Sequence, residues 1–221
     1  MRTPAAIVLD MDGVILESEG IKTEVFHAMF AEHPDHAAAM AAYHADHPSL
    51  PRRRKFERLA ELLGRAGDAG LVDELVATFS SRVLERIAAA PFVRGAAEFL
   101  AEFAGSVPLY LASVTPEAEL RKIVARKGIA DRFVRVFGDP PITKEEAVRI
   151  VVAAHGADPA AVVLVGDAPA DLAVAMATGV EFVGRDSGIS FPPPAPALNA
   201  DMREIAAAMR LRAIARASST S

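Results

Sequence analysis

The sequence predicts an α/β fold: a parallel sheet wound by right-handed crossovers and interrupted after its first strand by an all-helical insertion. Three observations predict it. Residues 5–9 form an apolar run with the length and β-branched content of a fully buried parallel strand. From residue 107 onward, short apolar runs alternate with helix-patterned ones, which is how parallel strands joined by helical crossovers read. Between them, residues 16–90 show helix patterning alone.

The elements follow in order. The first strand runs into Asp10-Met11-Asp12-Gly13-Val14, where Gly13 allows a sharp turn. The insertion is punctuated by polar breaks at Pro34-Asp35, at His47-Pro48 and across residues 64–70. Pro91-Phe92-Val93-Arg94-Gly95 marks the return, so residues 1–15 and 91–221 are expected to form the core and 16–90 the insertion. Further strands are expected at 107–112, 133–137, 161–165 and 180–183, and helices at 116–126, 144–154 and 171–177. Pro116 suits the first turn of its helix. Phe191-Pro192-Pro193-Pro194-Ala195-Pro196 reads as a stiff connector, followed by a last helix from about Asp201 and a tail from Ala217 that should fray. No internal repeat is present.

Bulk properties narrow the function. The 221 residues can bury a substantial core. A net charge of −5 provides no basic field for nucleic acid or an anionic membrane, so neither partner is expected. Cysteine is absent, which excludes disulfides, thiolate metal sites and a cysteine nucleophile. No apolar run approaches the ~18 residues of a membrane span, and Met1-Arg2-Thr3-Pro4 lacks the regions of a signal peptide, so a cytoplasmic location is expected. The 52% apolar fraction leans on alanine, which favours helices.

Four strand ends carry the chemistry. Ligands of open α/β sheets bind at the carboxyl ends of strands. Alternation would send Asp10 and Asp12 to one side there, where two carboxylates can share a cation and divide nucleophilic and acid/base work. They can equally cap the next helix. Ser113-Val114-Thr115-Pro116 offers a hydroxyl and free amides at a helix start, fit either to bind an anion or to cap. Lys144 stands at a helix start against the macrodipole, a placement that an anion would justify and that a solvated surface lysine also fits. Val165-Gly166-Asp167 ends a strand with an acid and Asp171 follows four residues on; such oxygens suit Mg²⁺, and capping by Asp167 is the alternative.

Together these strand ends resemble the haloacid dehalogenase-like (HAD) superfamily, in the branch with a helical cap after the first strand of a Rossmann-like core. Asp10-Met11-Asp12-Gly13-Val14 matches the first motif of that superfamily, Ser113 the second, Lys144 the third, and Gly166-Asp167 through Asp171 the fourth. The resemblance covers nearly the whole chain. Ile21-Lys22-Thr23-Glu24, Tyr43-His44 and Arg52 through Lys55-Phe56 also resemble a bacterial subgroup of phosphoglycolate-phosphatase-like hydrolases.

The resemblance implies a phosphatase acting on a small phosphorylated metabolite through an aspartyl-phosphate. Asp10 is then the nucleophile and Asp12 the acid and base. Ser113 and Lys144 hold the phosphoryl oxygens, with help from Thr115. Mg²⁺ would be held by Asp10, the Asp12 carbonyl and Asp167, with Asp171 acting through a water or by orienting its neighbours. Asp12 argues against the superfamily's dehalogenases and carbon–phosphorus hydrolases, which lack that acid. Phosphosugar mutases of the beta-phosphoglucomutase type keep both acids and are the alternative. They carry a histidine about twelve residues after the nucleophile, where Lys22 stands here.

Lys22, Arg52 and Lys55 are the insertion's candidates for binding a second anionic group, while a solvated basic run explains the Arg52 to Lys55 stretch equally well. His44 and His47 could serve as polar substrate contacts, but the alanine-rich helix around them favours ordinary surface histidines. Where relatives tend to carry a glycine pair, His47-Pro48-Ser49-Leu50-Pro51 stands, so the substrate does not carry over. The sequence is silent on oligomeric state.

Overall fold

The structure, a computed structural model, describes residues 4–47, 50–156 and 158–217, with side chains described as far as residue 210. The six strands among these residues form one parallel sheet: β1 (Ala6–Leu9), β2 (Leu109–Ser113), β3 (Arg135–Gly138), β4 (Val162–Gly166), β5 (Glu181–Arg185) and β6 (Leu198–Asn199). Their spatial order is β3-β2-β1-β4-β5-β6. The helices are α1 (Ile21–Ala31), α2 (Pro34–Asp46), α3 (Arg52–Leu62), α4 (Ala69–Ala89), α5 (Ala96–Phe103), α6 (Glu117–Arg126), α7 (Lys144–Ala154), α8 (Pro169–Thr178) and α9 (Met202–Ala217).

The first strand lies at the centre because it is apolar on both faces. Each of its four residues is wholly buried, with Leu9 aligned to Leu111 on β2 and to Val165 on β4. Strand alternation sends Ala6 and Val8 to one face. There they pack with Tyr110, Ala112, Val162 and Leu164 against Ala147, Val148 and Val151 of α7 and Ala175 of α8. Asp10 continues that parity and so emerges on the face that carries α7.

The chain divides into two compact units. One comprises the residues up to Glu19 together with those from Ala90 onward, and the other is Gly20–Ala89. In the first unit the outgoing and returning segments form a short ribbon: Leu16 bridges Phe92, Glu17 N donates to Pro91 O at 2.9 Å and Val93 N donates to Ile15 O at 3.0 Å. The second unit contains α1 to α4, with α1 packed on α2 and α4 and α3 packed on α4. Its core is aromatic. The rings of Phe26 and Phe79 stack at 4.1 Å between centroids, and Phe56 lies 5.5 Å from Phe26. No helix among the described residues is long and apolar enough to cross a membrane.

Several boundaries differ from the expected ones, each for a local reason. The 107–112 strand begins at Leu109, because Val107 N donates back to Phe103 O at the end of α5 and Pro108 has no N–H. The 133–137 strand shifts to Arg135–Gly138, since the tight turn Ala130–Arg132 delays its entry to the sheet and Val134 is exposed. A similar turn at Pro159–Ala161 moves the 161–165 strand to Val162–Gly166, and the 180–183 strand lies at Glu181–Arg185. Pro116 is the extended residue before α6 rather than part of its first turn. The 171–177 helix starts at Pro169 because Asp171 satisfies the first amides from inside the turn. Neither α5 nor β6 was expected; the proline connector leads into β6, whose two residues are too few to show periodicity. Ala217 closes α9, while residues 1–3, Pro48, Ser49 and the tail 218–221 lie outside the described residues.

Candidate active site

The site is assembled at the carboxyl ends of β1, β2 and β4. Asp10 N donates to Val165 O at 3.0 Å, which sets the first acid level with the end of β4. Lys144, the first residue of α7, reaches back to Asp10 Oδ1 at 2.9 Å and Asp171 Oδ1 at 2.5 Å. The start of α7 is fixed by a reciprocal cap: Thr143 Oγ1 accepts from Glu146 N at 3.3 Å, and the Glu146 carboxylate accepts from Thr143 N at 2.9 Å. With the helix secured this way, Lys144 can stand against the macrodipole. Two buried carboxylates compensate its charge.

Asp10, Asp167 and Asp171 are buried, and one oxygen from each lies within 4.8 Å of the others. Asp171 is fully engaged: Oδ1 takes Lys144 while Oδ2 accepts from Asp167 N and Ala168 N at 3.2 Å each. It therefore orients the turn that carries Asp167. Asp167 does not cap α8 with its side chain, and its Oδ2 is buried with no hydrogen-bond partner among the described residues.

Glycine makes this approach possible. Gly13 adopts φ +68°, and a Cβ there would stand 1.9 Å from Asp167 Oδ2. Any side chain would displace the carboxylate.

The electrostatics suit a divalent cation. Burial is the main cause that pushes the Asp10 carboxyl up to about 8; Lys144 opposes the shift, and Asp171 and Asp12 add to it. Burial likewise pushes Asp167 up to about 6, with Ser187 near enough to moderate the shift although no well-formed hydrogen bond joins them. For Lys144, burial works against its charge and the Asp10 and Asp171 carboxylates override it, so its pKa is raised. Three acids against one lysine leave excess negative charge in a desolvated place. An orphaned buried carboxylate oxygen in an all-oxygen donor set is what a hard divalent cation takes.

Asp12 is arranged differently from its neighbours. It lies beyond the end of β1, and its Oδ1 accepts from Ser18 Oγ at 2.5 Å, so its carboxylate is outside the three-acid cluster. Ser113 is buried at the end of β2, where its Oγ accepts from Thr115 N at 3.1 Å. Thr115 Oγ1 is buried and has no partner among the described residues. No side chain caps α6, so these hydroxyls are not its cap.

The insertion candidates behave unequally. Arg53 and Arg54 are exposed and paired with Asp73 and Glu57, as a solvated run would be. Lys55 departs from that reading: it is 1% exposed, lies 5.0 Å over the Phe26 ring, and donates to His44 Nδ1 at 2.8 Å. Arg52 donates to Ser80 Oγ at 2.6 Å and lies over Phe79, and Lys22 is half-buried on α1.

His44 does not lie at the surface, where the sequence placed it. His44 is buried; because lysine only donates, its Nδ1 is an acceptor and its Nε2–H faces Thr23 Oγ1 at 3.1 Å. Burial first, then Lys55 and His27, lower its pKa. His47 is exposed, as expected.

Sequence reasoning missed Ser18, Arg185 and Ser187. Arg185 ends β5 and Ser187 follows it in the polar run Arg185-Asp186-Ser187-Gly188, so the strand-end rule applied to a fifth strand would have found them.

A family profile described as haloacid dehalogenase-like hydrolase matches residues 4–179. A phosphoglycolate phosphatase of Rhodospirillum rubrum is 27% identical over 203 residues, covering 87% of this chain and 83% of that protein. Among solved structures, the provisionally assigned HAD-hydrolase YfnB of Bacillus subtilis, bound to magnesium, superposes with a TM-score of 0.69 at 14% identity, covering 95% of this chain and all of that one. A Thermotoga maritima protein provisionally named a beta-phosphoglucomutase gives 0.63 at 19% identity over 90% of this chain and 88% of its own. At such identities these two establish the fold alone.

Proposed function

The chain belongs to the haloacid dehalogenase-like hydrolases, and from that premise we propose that it is a Mg²⁺-dependent phosphatase, hydrolysing a small phosphate monoester through an aspartyl-phosphate on Asp10. The observation that carries this reading is the buried trio Asp10, Asp167 and Asp171 with Lys144 bridging two of its members.

In the first step an Asp10 carboxylate oxygen attacks phosphorus. The new bond forms as the ester oxygen leaves, and Asp12 gives that oxygen its proton. In the second step Asp12, now ionised, takes a proton from water as the water attacks the acyl-phosphate and frees Asp10. Ser18 suits this exchange, because a hydroxyl that donates to the Asp12 carboxylate can turn to Leu16 O, 3.4 Å away, when Asp12 is protonated. Lys144 and the Ser113 hydroxyl take the equatorial phosphoryl oxygens, with Thr115 Oγ1 as a further donor, in a reaction dominated by positioning and charge stabilisation.

Asp10, Asp167 and the Asp12 carbonyl would hold Mg²⁺, which supplies the positive charge that lets an anionic phosphate approach three acids. Asp171 keeps Asp167 and Lys144 in place.

The helical unit Gly20–Ala89 is the cap in this reading, and Lys22, Arg52 and Lys55 are its cations for a second anionic group on the substrate. Lys22, in place of a histidine, favours hydrolysis over phosphosugar transfer.

Phosphate release from a panel of phosphate esters that includes p-nitrophenyl phosphate tests the proposal. Activity is expected with Mg²⁺ and not with a chelator, and no release from any ester would contradict it. Arg52→Ala and Lys55→Ala should flatten discrimination across the panel; unchanged relative kcat/KM values would remove both from substrate binding.

A further inference from the structure

The end of β5 makes a contact that none of the steps above uses. Arg185 Nη1 donates to Gly13 O at 3.1 Å and to Glu17 Oε2 at 3.2 Å, while Nη2 donates to Glu17 Oε1 at 2.7 Å. The Arg185 side chain is 11% exposed, and its Nε is buried without a partner among the described residues. One fork therefore holds the turn after the nucleophile and the segment leading out of the core, and Glu17 N is itself fixed on Pro91 O.

The position of Gly13 makes this contact consequential. The Asp167 carboxylate fills the space a Cβ would take at Gly13, while the Gly13 carbonyl is held by Arg185. The turn is thus gripped between an acid of the cation site and a charged fork, one peptide away from Asp12. As a stability device the Arg185–Glu17 pair is minor, since the Glu17 side chain is 41% exposed and solvent screens the attraction. As an orienting device it is better placed: a planar fork bound bidentately to a carboxylate has little freedom, and its hydrogen bond to Gly13 O inherits that direction.

We propose that Arg185 is a positioning residue for the reaction: oriented by Glu17, it holds the Asp12–Gly13 turn against Asp167, keeping the Asp12 carbonyl at the cation and the Asp12 carboxyl at the leaving group. This rests on the proposed phosphatase reading and adds to it the group that keeps the first motif in register with the fourth. Outer groups that orient ligands typically change metal affinity or activity about 10–100-fold when removed.

Calorimetric titration of the full chain with MgCl₂, alongside thermal melts, tests this. Arg185→Ala should weaken Mg²⁺ binding by about 10–100-fold with little change in Tm. Arg185→Lys, which keeps the charge and one donor but not the fork, should recover part of the loss, and Glu17→Gln should fall between Arg185→Ala and wild type. A Kd within twofold of wild type in Arg185→Ala overturns the proposal. Should that variant fail to fold, an unchanged Kd in both Arg185→Lys and Glu17→Gln overturns it equally. Wild-type protein that binds no Mg²⁺ overturns the cation reading and this proposal together, whereas binding that is equal in wild type and variants overturns only the role of Arg185.

Discussion

Asp10 and Asp12 are two residues apart and have different surroundings. Asp10 is held among Lys144, Asp167 and Asp171, whereas Asp12 answers to Ser18. A nucleophile and an acid/base need such a difference, because one must stay ionised while the other exchanges a proton. The raised pKa of Asp10, about 8 in the metal-free protein, has a measurable consequence. Proton and cation then compete for this carboxyl. Mg²⁺ binding is therefore expected to release protons near pH 7, fewer above pH 9, and to tighten as pH rises through about 8. Titration in buffers of different ionisation enthalpy measures the count; no release at pH 7 would contradict the environment assigned to Asp10. The acids and Lys144 were legible in the sequence because each ends a strand or starts a helix, which are local features. Ser18 and Arg185 were not, since their partners are set by the fold: the contact of Arg185 with Gly13 spans 172 positions.

At the scale of elements, the parallel sheet was legible because β1 and β4 are continuously apolar, as only strands covered on both faces are. Edge elements were read less well. The two residues of β6 are too short for any period, and Val134, apolar in sequence, is exposed in the fold just before β3 begins. The helical unit shows the opposite limit. Its helix breaks were visible, but the burial of His44 and Lys55 was not, because an alanine-rich α2 gives no sign of which face will meet α3. Polar groups within an aromatic core are tolerated there because the Thr23, His44 and Lys55 chain satisfies them. Phe26 is the centre of that core, in contact with the rings of Phe30, His44, Phe56 and Phe79. Phe26→Ala is expected to cost about 3–5 kcal/mol, measured by denaturant unfolding. A loss below about 1 kcal/mol, within the usual range for surface substitutions and well short of that for a buried ring, would show that the cluster does not hold the unit together.

For the whole molecule, a rigid sheet positions the chemistry and a separate helical unit is assigned the substrate. The family and its fold were legible because four motifs recur at strand ends along nearly the whole chain. The substrate was not, since the residues assigned to it lie in the helical unit, where a basic run at a helix start reads equally well as a solvated face. The central claim remains covalent catalysis by Asp10. Wild-type protein mixed with Mg²⁺ and a radiolabelled phosphate ester that it turns over, then quenched in acid, should retain label on the protein that hydroxylamine removes, and Asp10→Asn should retain none. Turnover by wild type with no trapped label, or equal turnover and labelling in Asp10→Asn, would contradict it.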